Sequence, residues 1–112
     1  MSQITTHVLD TSLGRPAAGV AIILEIQKTG GWHEISKGAT DADGRLRHLL
    51  EPGALVAGIY RLTFETGIYF HARKIHALYP QITIVFQVDD AKEHYHIPLL
   101  LGPYGYSTYR GS

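Results

Sequence analysis

The side chains best suited to chemistry in this chain are its histidines, of which there are seven. Histidine has an ordinary pKa close to neutral pH, so it can donate or accept a proton under physiological conditions. His94 and His96 stand two apart in the run "HYH". Residues two apart in a strand face the same way, so this pair would present two imidazoles together. The pair is a candidate for a divalent-metal site, but zinc needs a third ligand or more, for which His7 is available.

An arginine that follows a turn is the second candidate. Asp43-Gly44 is a strong turn pair because glycine tolerates positive φ, so Arg45 begins the next short strand. The run "DADG" resembles the opening of a calcium loop, but the glycine of such a loop comes sixth. The sixth residue from Asp41 is Leu46, so we interpret the run as a turn and reject calcium.

The end of the chain is the third unusual feature. The last residues of a domain are usually poorly ordered, and a disposable tail would be small and polar. Residues 104–112, "YGYSTYRGS", instead carry three tyrosines and an arginine. The sequence has no G-x-S-x-G or H-E-x-x-H motif. It has no cysteine either, which excludes disulfides, zinc-thiolate sites and a cysteine nucleophile.

The elements that must position these residues are predicted by alternation and by turn signals. Residues 3–10 favour a strand whose two faces carry Ile4, Thr6, Val8 and Asp10 on one side and Thr5, His7 and Leu9 on the other. The other predicted strands are 20–29, joined by the hairpin signal "GG" to 32–40, then 45–49, 59–66, 82–90 and a last one at 94–108.

One helix is predicted over residues 68–78, with an apolar stripe that Pro80 ends. The expected stripe consists of Ile68, Ala72, Ile75 and Leu78. Pro98 and Pro103 are expected to mark an edge or a bend of the last strand. About eight short strands with turns every ten residues or so are typical of an all-β sandwich.

Size and charge restrict the class of protein further. The chain of 112 residues predicts a single domain, 1–112. Ten basic residues balance ten acidic ones, which argues against a nucleic-acid partner and against an anionic membrane partner. Near-zero net charge also favours a homo-oligomer. The N-terminus shows no signal-peptide pattern, and the longest apolar run, 97–101, is too short to span a bilayer, so we expect a soluble, cytoplasmic protein.

Three stretches, in order along the chain, resemble the signatures of the transthyretin-related 5-hydroxyisourate hydrolases. They are "THVLDTSLGRPAAG" at 6–19, "TDADGR" at 40–45 and "YHIPLLLGPYGYSTYRGS" at 95–112. The resemblance implies a transthyretin-like sandwich of two four-stranded sheets with one short helix. It also implies a homotetramer, a dimer of dimers, whose active sites open onto the channel where the dimers meet.

The resemblance also implies site residues. His7, Arg45 and His96 would be catalytic, and the substrate-binding residues would be Tyr109, Arg110, Gly111 and Ser112. The implied reaction opens a C–N bond of 5-hydroxyisourate to give 2-oxo-4-hydroxy-4-carboxy-5-ureidoimidazoline, with no metal or organic cofactor. The histidines would share water activation, Arg45 would polarise the substrate, and the tail would fold back as one wall of the pocket, with the carboxylate of Ser112 inside it. Which histidine is the general base stays open.

Two other functions are compatible with this fold, because fold alone does not set function. A transthyretin-like carrier would hold a small aromatic ligand, such as a thyroid hormone, in a channel lined by apolar and small polar groups. A metal-binding adhesion or interaction module would bind zinc stoichiometrically and would not depend on the tail. The lining of the site discriminates among these functions.

Overall fold

The computed structural model describes residues 2–112, which form two β-sheets packed face to face with one short helix. This confirms the predicted sandwich. The elements in chain order are β1 (Ile4–Asp10), β2 (Arg15–Pro16), β3 (Ala21–Lys28), β4 (Gly31–Ala39), β5 (Arg45–Leu46), β6 (Gly58–Phe64), α1 (Thr66–Ala72), β7 (Ile82–Val88), β8 (Tyr95–Leu101) and β9 (Tyr106–Thr108).

The first sheet has the order β2-β1-β8-β9, and β5 also pairs with β1. It therefore contains five strands rather than the expected four, because the two-residue strands β2 and β5 share one side of β1. β1 and β8 run parallel, with Thr5 opposite His96. β5 runs antiparallel and places Arg45 opposite His7. This sheet thus brings together residues from three distant parts of the sequence.

The second sheet has four antiparallel strands in the order β4-β3-β6-β7. The predicted glycine hairpin joins β3 to β4, with Lys28 paired to Gly31. The strand β7 forms one edge of this sheet, because β6 is its single neighbour among the strands of residues 2–112. The predicted strand boundaries in this sheet agree with the structure to within two residues.

The core lies between the sheets, and most of it comes from the inward faces of β1, β3, β6, β7 and β8. On β1, Ile4 and Val8 are fully buried, as the alternation predicts. Burying each such aliphatic side chain stabilises the fold by about 1.5–3 kcal/mol. The other completely buried hydrophobic residues are Ala17, Val20, Ile22, Leu24, Leu62, Phe64, Leu99 and Leu101.

The helix lies earlier and faces differently than the sequence indicates. It spans Thr66–Ala72 and buries Tyr69 and Phe70, whereas Ile68, from the predicted stripe, is 66% exposed. The chain leaves the helix well before Pro80, because Lys74 adopts a φ of 60° and the amide of Ile75 bonds back to the Phe70 carbonyl at 3.0 Å. The predicted stripe was wrong because two adjacent aromatic side chains, rather than the aliphatic ones, carry the buried area of this short helix.

The predicted last strand is in fact a hairpin. β8 and β9 pair antiparallel across a turn in which the Gly102 amide bonds the Gly105 carbonyl at 2.9 Å. Pro103 lies in this turn, as expected of a bend, but Pro98 lies within β8 between two neighbours, so its expected edge position was wrong. Proline has no N–H to donate, and the β8–β9 ladder accordingly begins at the next residue, Leu99. No helix within residues 2–112 is long and apolar enough to cross a membrane.

Candidate functional site

The candidate site lies on the outer face of the first sheet. Alternation along β1 turns Ile4 and Val8 into the core, so Thr5 and His7 face away from it. The register then sets His96 beside Thr5 and Arg45 beside His7. Three of the sequence-predicted catalytic residues are therefore neighbours in one sheet, although up to 89 positions separate them in the sequence.

The turn before β5 positions both Arg45 and His7. The Asp41 carboxylate accepts backbone N–H bonds from Asp43 at 2.9 Å and from Arg45 at 3.0 Å, and these bonds hold the pKa of Asp41 below its ordinary value. Gly44 has a φ of 76°, and a Cβ there would collide with the Val8 carbonyl oxygen. Only glycine fits this position, which explains the turn that the sequence predicted.

His7 is held by the same turn. Its Nε2 lies 2.9 Å from the Asp43 carbonyl oxygen. A carbonyl oxygen only accepts hydrogen bonds, so Nε2 carries the hydrogen and Nδ1 of the neutral ring holds the free lone pair. Burial lowers the pKa of His7, and the nearby Arg45 guanidinium lowers it further, against the opposing effects of Asp43 and Asp41. The ring is therefore a neutral base at pH 7.

His96 is held from two sides. Its Nδ1 lies 2.8 Å from the Thr5 hydroxyl oxygen, and its backbone carbonyl accepts the Gly111 amide at 2.8 Å. A Cβ on Gly111 would lie 2.5 Å from Cδ2 of the His96 ring. Burial lowers the pKa of His96, and the positive or protonatable groups of His94, Arg45 and His7 lower it further.

A cavity of about 240 Å³ opens at this face. It is lined by Thr5, Arg45, Arg47, His94, His96 and Ser112. His7 stands beside the lining residues through its pairing with Arg45. A polar planar molecule would meet guanidinium donors, an imidazole and a hydroxyl here. This arrangement can bind an acyl group, stabilise an oxyanion and exchange protons with it.

The tail folds back onto the sheet and then divides between two surfaces. Ser112 lines the cavity with His96, while Tyr109 and Arg110 line a different cavity of about 310 Å³ beside β7. The Arg110 guanidinium bonds the Glu93 carboxylate at 2.9 Å and the His94 carbonyl at 3.1 Å, and lies 4.4 Å from the centre of the Tyr95 ring. The sequence analysis expected Tyr109 and Arg110 in the same pocket wall as Ser112. Neither residue lines the cavity at His96; both line the cavity beside β7.

The histidine pair does not have the surroundings of a metal site. No group of three or more His, Cys, Asp or Glu side chains is arranged to hold a metal ion within residues 2–112. The rings of His94 and His96 do lie side by side, with centroids 6.2 Å apart. Instead of converging on an empty position, both bond to the hydroxyl of Thr5.

Sequence reasoning missed Thr5 and Arg47 as members of the site, and it set His94 aside. All three follow from the strand period of two, because Thr5 precedes His7, Arg47 follows Arg45 and His94 precedes His96 by two positions. Applying that rule outward from each predicted catalytic residue would have identified the whole lining of the cavity except the tail.

Comparison with known proteins places this chain in a family. The family described as HIUase/Transthyretin matches residues 4–111. A 5-hydroxyisourate hydrolase of Salmonella dublin is 46% identical over 109 residues, covering 97% of this chain and 80% of that protein. The solved structure of Klebsiella pneumoniae 5-hydroxyisourate hydrolase superposes with a TM-score of 0.87 at 38% identity, covering both chains completely. Sea bream transthyretin, solved in complex with thyroxine, superposes with a TM-score of 0.92 at 30% identity, covering 98% of this chain and 95% of that one.

Proposed function

The chain belongs to the HIUase/Transthyretin family, and we propose that it is an enzyme that hydrolyses 5-hydroxyisourate at the cavity lined by Arg45 and His96. The product is 2-oxo-4-hydroxy-4-carboxy-5-ureidoimidazoline. Two relatives that this chain matches over 80% and 98% of their length carry the name of this hydrolase. The reaction belongs to urate degradation, which is also the process named for a bifunctional relative in Arabidopsis thaliana.

The lining of the cavity is the observation that carries this function rather than ligand transport. Both kinds of protein share the fold, since this chain superposes about equally well on a transthyretin and on a hydrolase. A carrier for a small aromatic molecule requires an apolar lining. Here two guanidinium groups and two imidazoles line the cavity. Those groups suit the polar, electron-rich ring of a hydroxyisourate and the negative charge that develops during its hydrolysis.

Proton transfer is assigned to His7 and His96. Both rings have a lowered pKa, so at neutral pH both present a free lone pair. In the proposed reaction the pair removes a proton from water as its oxygen attacks the ring acyl carbon. The proton then returns to the nitrogen that leaves when the C–N bond breaks.

Charge stabilisation is assigned to Arg45. An arginine guanidinium presents several N–H donors in a fixed plane and carries a positive charge. Arg45 faces the cavity and lies opposite His7 in the ladder. It is placed to bind the substrate carbonyl and to stabilise the oxyanion that forms on water attack. Removing one such donor typically costs about 100- to 1,000-fold in kcat.

The tail is assigned to substrate binding. Ser112 contributes a wall of the cavity, and Gly111 keeps that wall close to the His96 ring because it has no side chain. Arg110 acts indirectly by fastening the tail to Glu93 and Tyr95. Tyr109 is 57% exposed beside β7, at the edge where we propose that subunits meet.

A homotetramer, arranged as a dimer of dimers, is proposed as the working form. The edge strand β7 and the tail after β9 lie side by side, because both line the cavity of about 310 Å³. This edge exposes Val85 and Tyr106 to 57% and 44%. Unpaired strand edges bind other strands readily, and zero net charge does not oppose association. Pairing through this edge would leave the histidine face free to open onto the channel between dimers.

The decisive experiment generates 5-hydroxyisourate in place from urate and follows its optical decay with and without the protein. Acceleration over the spontaneous decay supports the enzyme, and an unchanged decay rules it out. His7→Gln and His96→Gln are each expected to lower kcat by at least about 100-fold without unfolding the protein. Near wild-type turnover in either variant would exclude that histidine from proton transfer.

A chain that ends at Thr108 isolates the contribution of the tail. It retains β9 and the whole core but loses the Gly111 bond to His96 and the Ser112 wall. We expect a free energy of unfolding close to that of the full chain, and very low hydrolase activity. A fully active truncated chain would show that substrate binding does not involve the tail.

A further inference from the structure

Thr5 joins two histidines that differ in their access to water. Its hydroxyl oxygen lies 2.9 Å from Nε2 of His94 and 2.8 Å from Nδ1 of His96. Thr5 itself is 4% exposed, so water has little access to this hydroxyl. His94 is exposed, and His96 is partly buried at the cavity. Both rings line the cavity, but His94 is the more exposed of the two, so the hydroxyl joins a ring in contact with bulk water to a more buried ring.

The number of hydrogens fixes what this bridge can do. A hydroxyl has one hydrogen to donate and lone pairs to accept with. It therefore donates to one histidine and accepts an N–H from the other. Two arrangements satisfy this condition, with Thr5 donating either to His96 or to His94. They differ by one hydrogen crossing each of the two hydrogen bonds, which together moves one unit of positive charge from one ring to the other.

We propose that Thr5 is a positioning residue that links His94 to His96 as a proton relay between solvent and the cavity. The proposal rests on the proposed hydrolase function, in which His96 takes a proton during water activation and then passes it to the leaving nitrogen or to solvent. Direct exchange with solvent is one route, because the His96 ring lines the open cavity. The relay gives that proton a second route.

The steps of the relay balance. When His96 takes a proton from the attacking water on Nε2, the ring becomes an imidazolium with hydrogens on both nitrogens. The Nδ1 hydrogen passes to the Thr5 oxygen as the hydroxyl hydrogen passes to Nε2 of His94. His94 becomes the cation and releases its Nδ1 hydrogen to water. The same steps in reverse return a proton to the leaving nitrogen, and no oxidant or other reactant is involved.

The surroundings favour moving positive charge outward along this route. The His96 ring is surrounded by other positive or protonatable groups, namely Arg45, Arg47 and His7. These groups repel the positive charge that His96 gains when it takes up a proton. The carboxylate next to the outer ring, Glu93, is paired with Arg110. His94 lies at the exposed end, where water stabilises its charge.

A double-mutant cycle tests the relay in the assembled protein. Thr5→Val keeps the shape and removes the hydroxyl, and His94→Gln keeps an N–H donor for Thr5 but cannot carry a proton. Each variant is expected to lower kcat by about 10-fold or more with KM within about twofold. The double variant should be no slower than the slower single variant, because both changes break one path. Effects that multiply, or a KM change without a kcat change, would overturn the relay.

Two further variants separate the relay from a packing effect. Thr5→Ser restores the hydroxyl and should restore kcat to within about threefold, while Thr63→Val, in β6 of the opposite sheet, should leave kcat unchanged. Failure of the serine variant to recover would assign the Thr5 effect to packing. Wild-type protein that does not accelerate the decay would instead refute the hydrolase function.

A measurement without substrate decides whether the bridge itself exists. In ¹⁵N NMR of the imidazoles, protonation of His94 should shift the Nδ1 signal of His96 in the wild type, and this response should be lost in Thr5→Val. An identical response in both proteins would show that the two rings are coupled through space alone, and would overturn the relay independently of any activity.

Discussion

At the scale of single residues, the site depends on a glycine as much as on its titratable groups. Gly111 lies against the His96 ring, and a Cβ there would come within 2.5 Å of Cδ2 and 3.2 Å of the Pro98 ring. Gly111→Ala should therefore push the tail away from His96 and lower kcat/KM by about 10-fold or more, with the free energy of unfolding changed by less than about 1 kcal/mol. The assay of 5-hydroxyisourate decay and a urea titration measure the two quantities.

A matched control is Gly105→Ala in the β8–β9 turn, where an added Cβ meets nothing within 4 Å. This variant should keep wild-type activity. If Gly111→Ala is as active as Gly105→Ala, then close approach of the tail to His96 is not required for substrate binding.

The pH dependence of the reaction is also set at the residue scale. Burial and neighbouring positive groups lower the pKa of both His7 and His96. The neutral ring is the base, so activity should rise with pH and reach half of its plateau below the ordinary histidine value of about 6.5. The lowered pKa values of His7 and His96 also affect stability. The unfolded chain binds protons at a higher pH than the folded chain does, so the free energy of unfolding falls as pH drops through this range. A profile of kcat/KM from about pH 4.5 to 8 would contradict the assignment if its acid limb were centred above 6.5.

The strand period would have predicted more of the site than was inferred from the sequence. The period of two relates His7 to Thr5 and His96 to His94, because each pair lies on or next to one strand, yet Thr5 was missed. The antiparallel register also reaches the tail, since Leu99 pairs with Thr108 and His96 pairs with Gly111. That register could not be counted from the sequence, because 94–108 was predicted as one strand and the hairpin turn within it was not placed. The position of Arg110 depends on its contact with Glu93, which local patterns do not encode.

At the scale of elements, the end of β1 is joined to the helix by a buried polar contact. The Tyr69 hydroxyl donates to Oδ2 of Asp10 at 2.7 Å, and the Ser12 hydroxyl and amide donate to Oδ1 at 2.5 and 3.0 Å. Asp10 is completely buried, and these bonds lower its pKa despite burial. Burial and the adjacent carboxylate raise the pKa of Tyr69 to about 12. The contact fixes β1, and with it Thr5 and His7, relative to α1.

Removing this contact should destabilise the fold rather than the chemistry. Tyr69→Phe leaves one oxygen of a buried carboxylate without its donor, so we expect the free energy of unfolding to fall by about 1–3 kcal/mol. The Asp10 pKa is lower in the folded state, so the loss should be largest at neutral pH and should shrink as acid protonates Asp10. Urea titrations at several pH values measure both effects. Tyr104→Phe, at a residue that is 64% exposed, is the control and should change stability by less than about 0.5 kcal/mol.

The elements also show why strands were easier to predict than the helix. Alternation over seven or more residues, as in β1 and β6, fixes both the existence and the face of a strand. The helix has only seven residues, so several stripes fit it equally well. Its buried face carries Tyr69 and Phe70, and the Tyr69 hydroxyl bonds Asp10, a partner 59 residues away. Such tertiary contacts lie outside any local pattern.

At the scale of the whole molecule, the two sheets place the proposed catalytic face and the proposed association edge on different sides of one sandwich. The cavity at His96 lies on the outer face of the first sheet, whereas Val85 lies on the outer edge of the second. The tail that follows β9 connects the two regions. Ser112 lines the cavity at His96, and Tyr109 and Arg110 lie beside β7. The sheet order itself follows from pairing between distant segments, and it became predictable here only through resemblance to a family.

The proposed tetramer is tested by placing a charge on its proposed edge. Val85 is 57% exposed in β7, and a lysine at an edge strand opposes pairing with a second strand. Val85→Lys should lower the mass measured by sedimentation from about four times the chain mass of 12.4 kDa to that of a smaller species. Val56→Lys, similarly exposed at 53% but in the loop before β6, should remain tetrameric.

Because the active sites are proposed to open onto a channel between dimers, Val85→Lys should also lose activity in proportion to its loss of tetramer. A tetrameric Val85→Lys protein would exclude pairing through β7, and a fully active monomer would show that each chain carries a complete site.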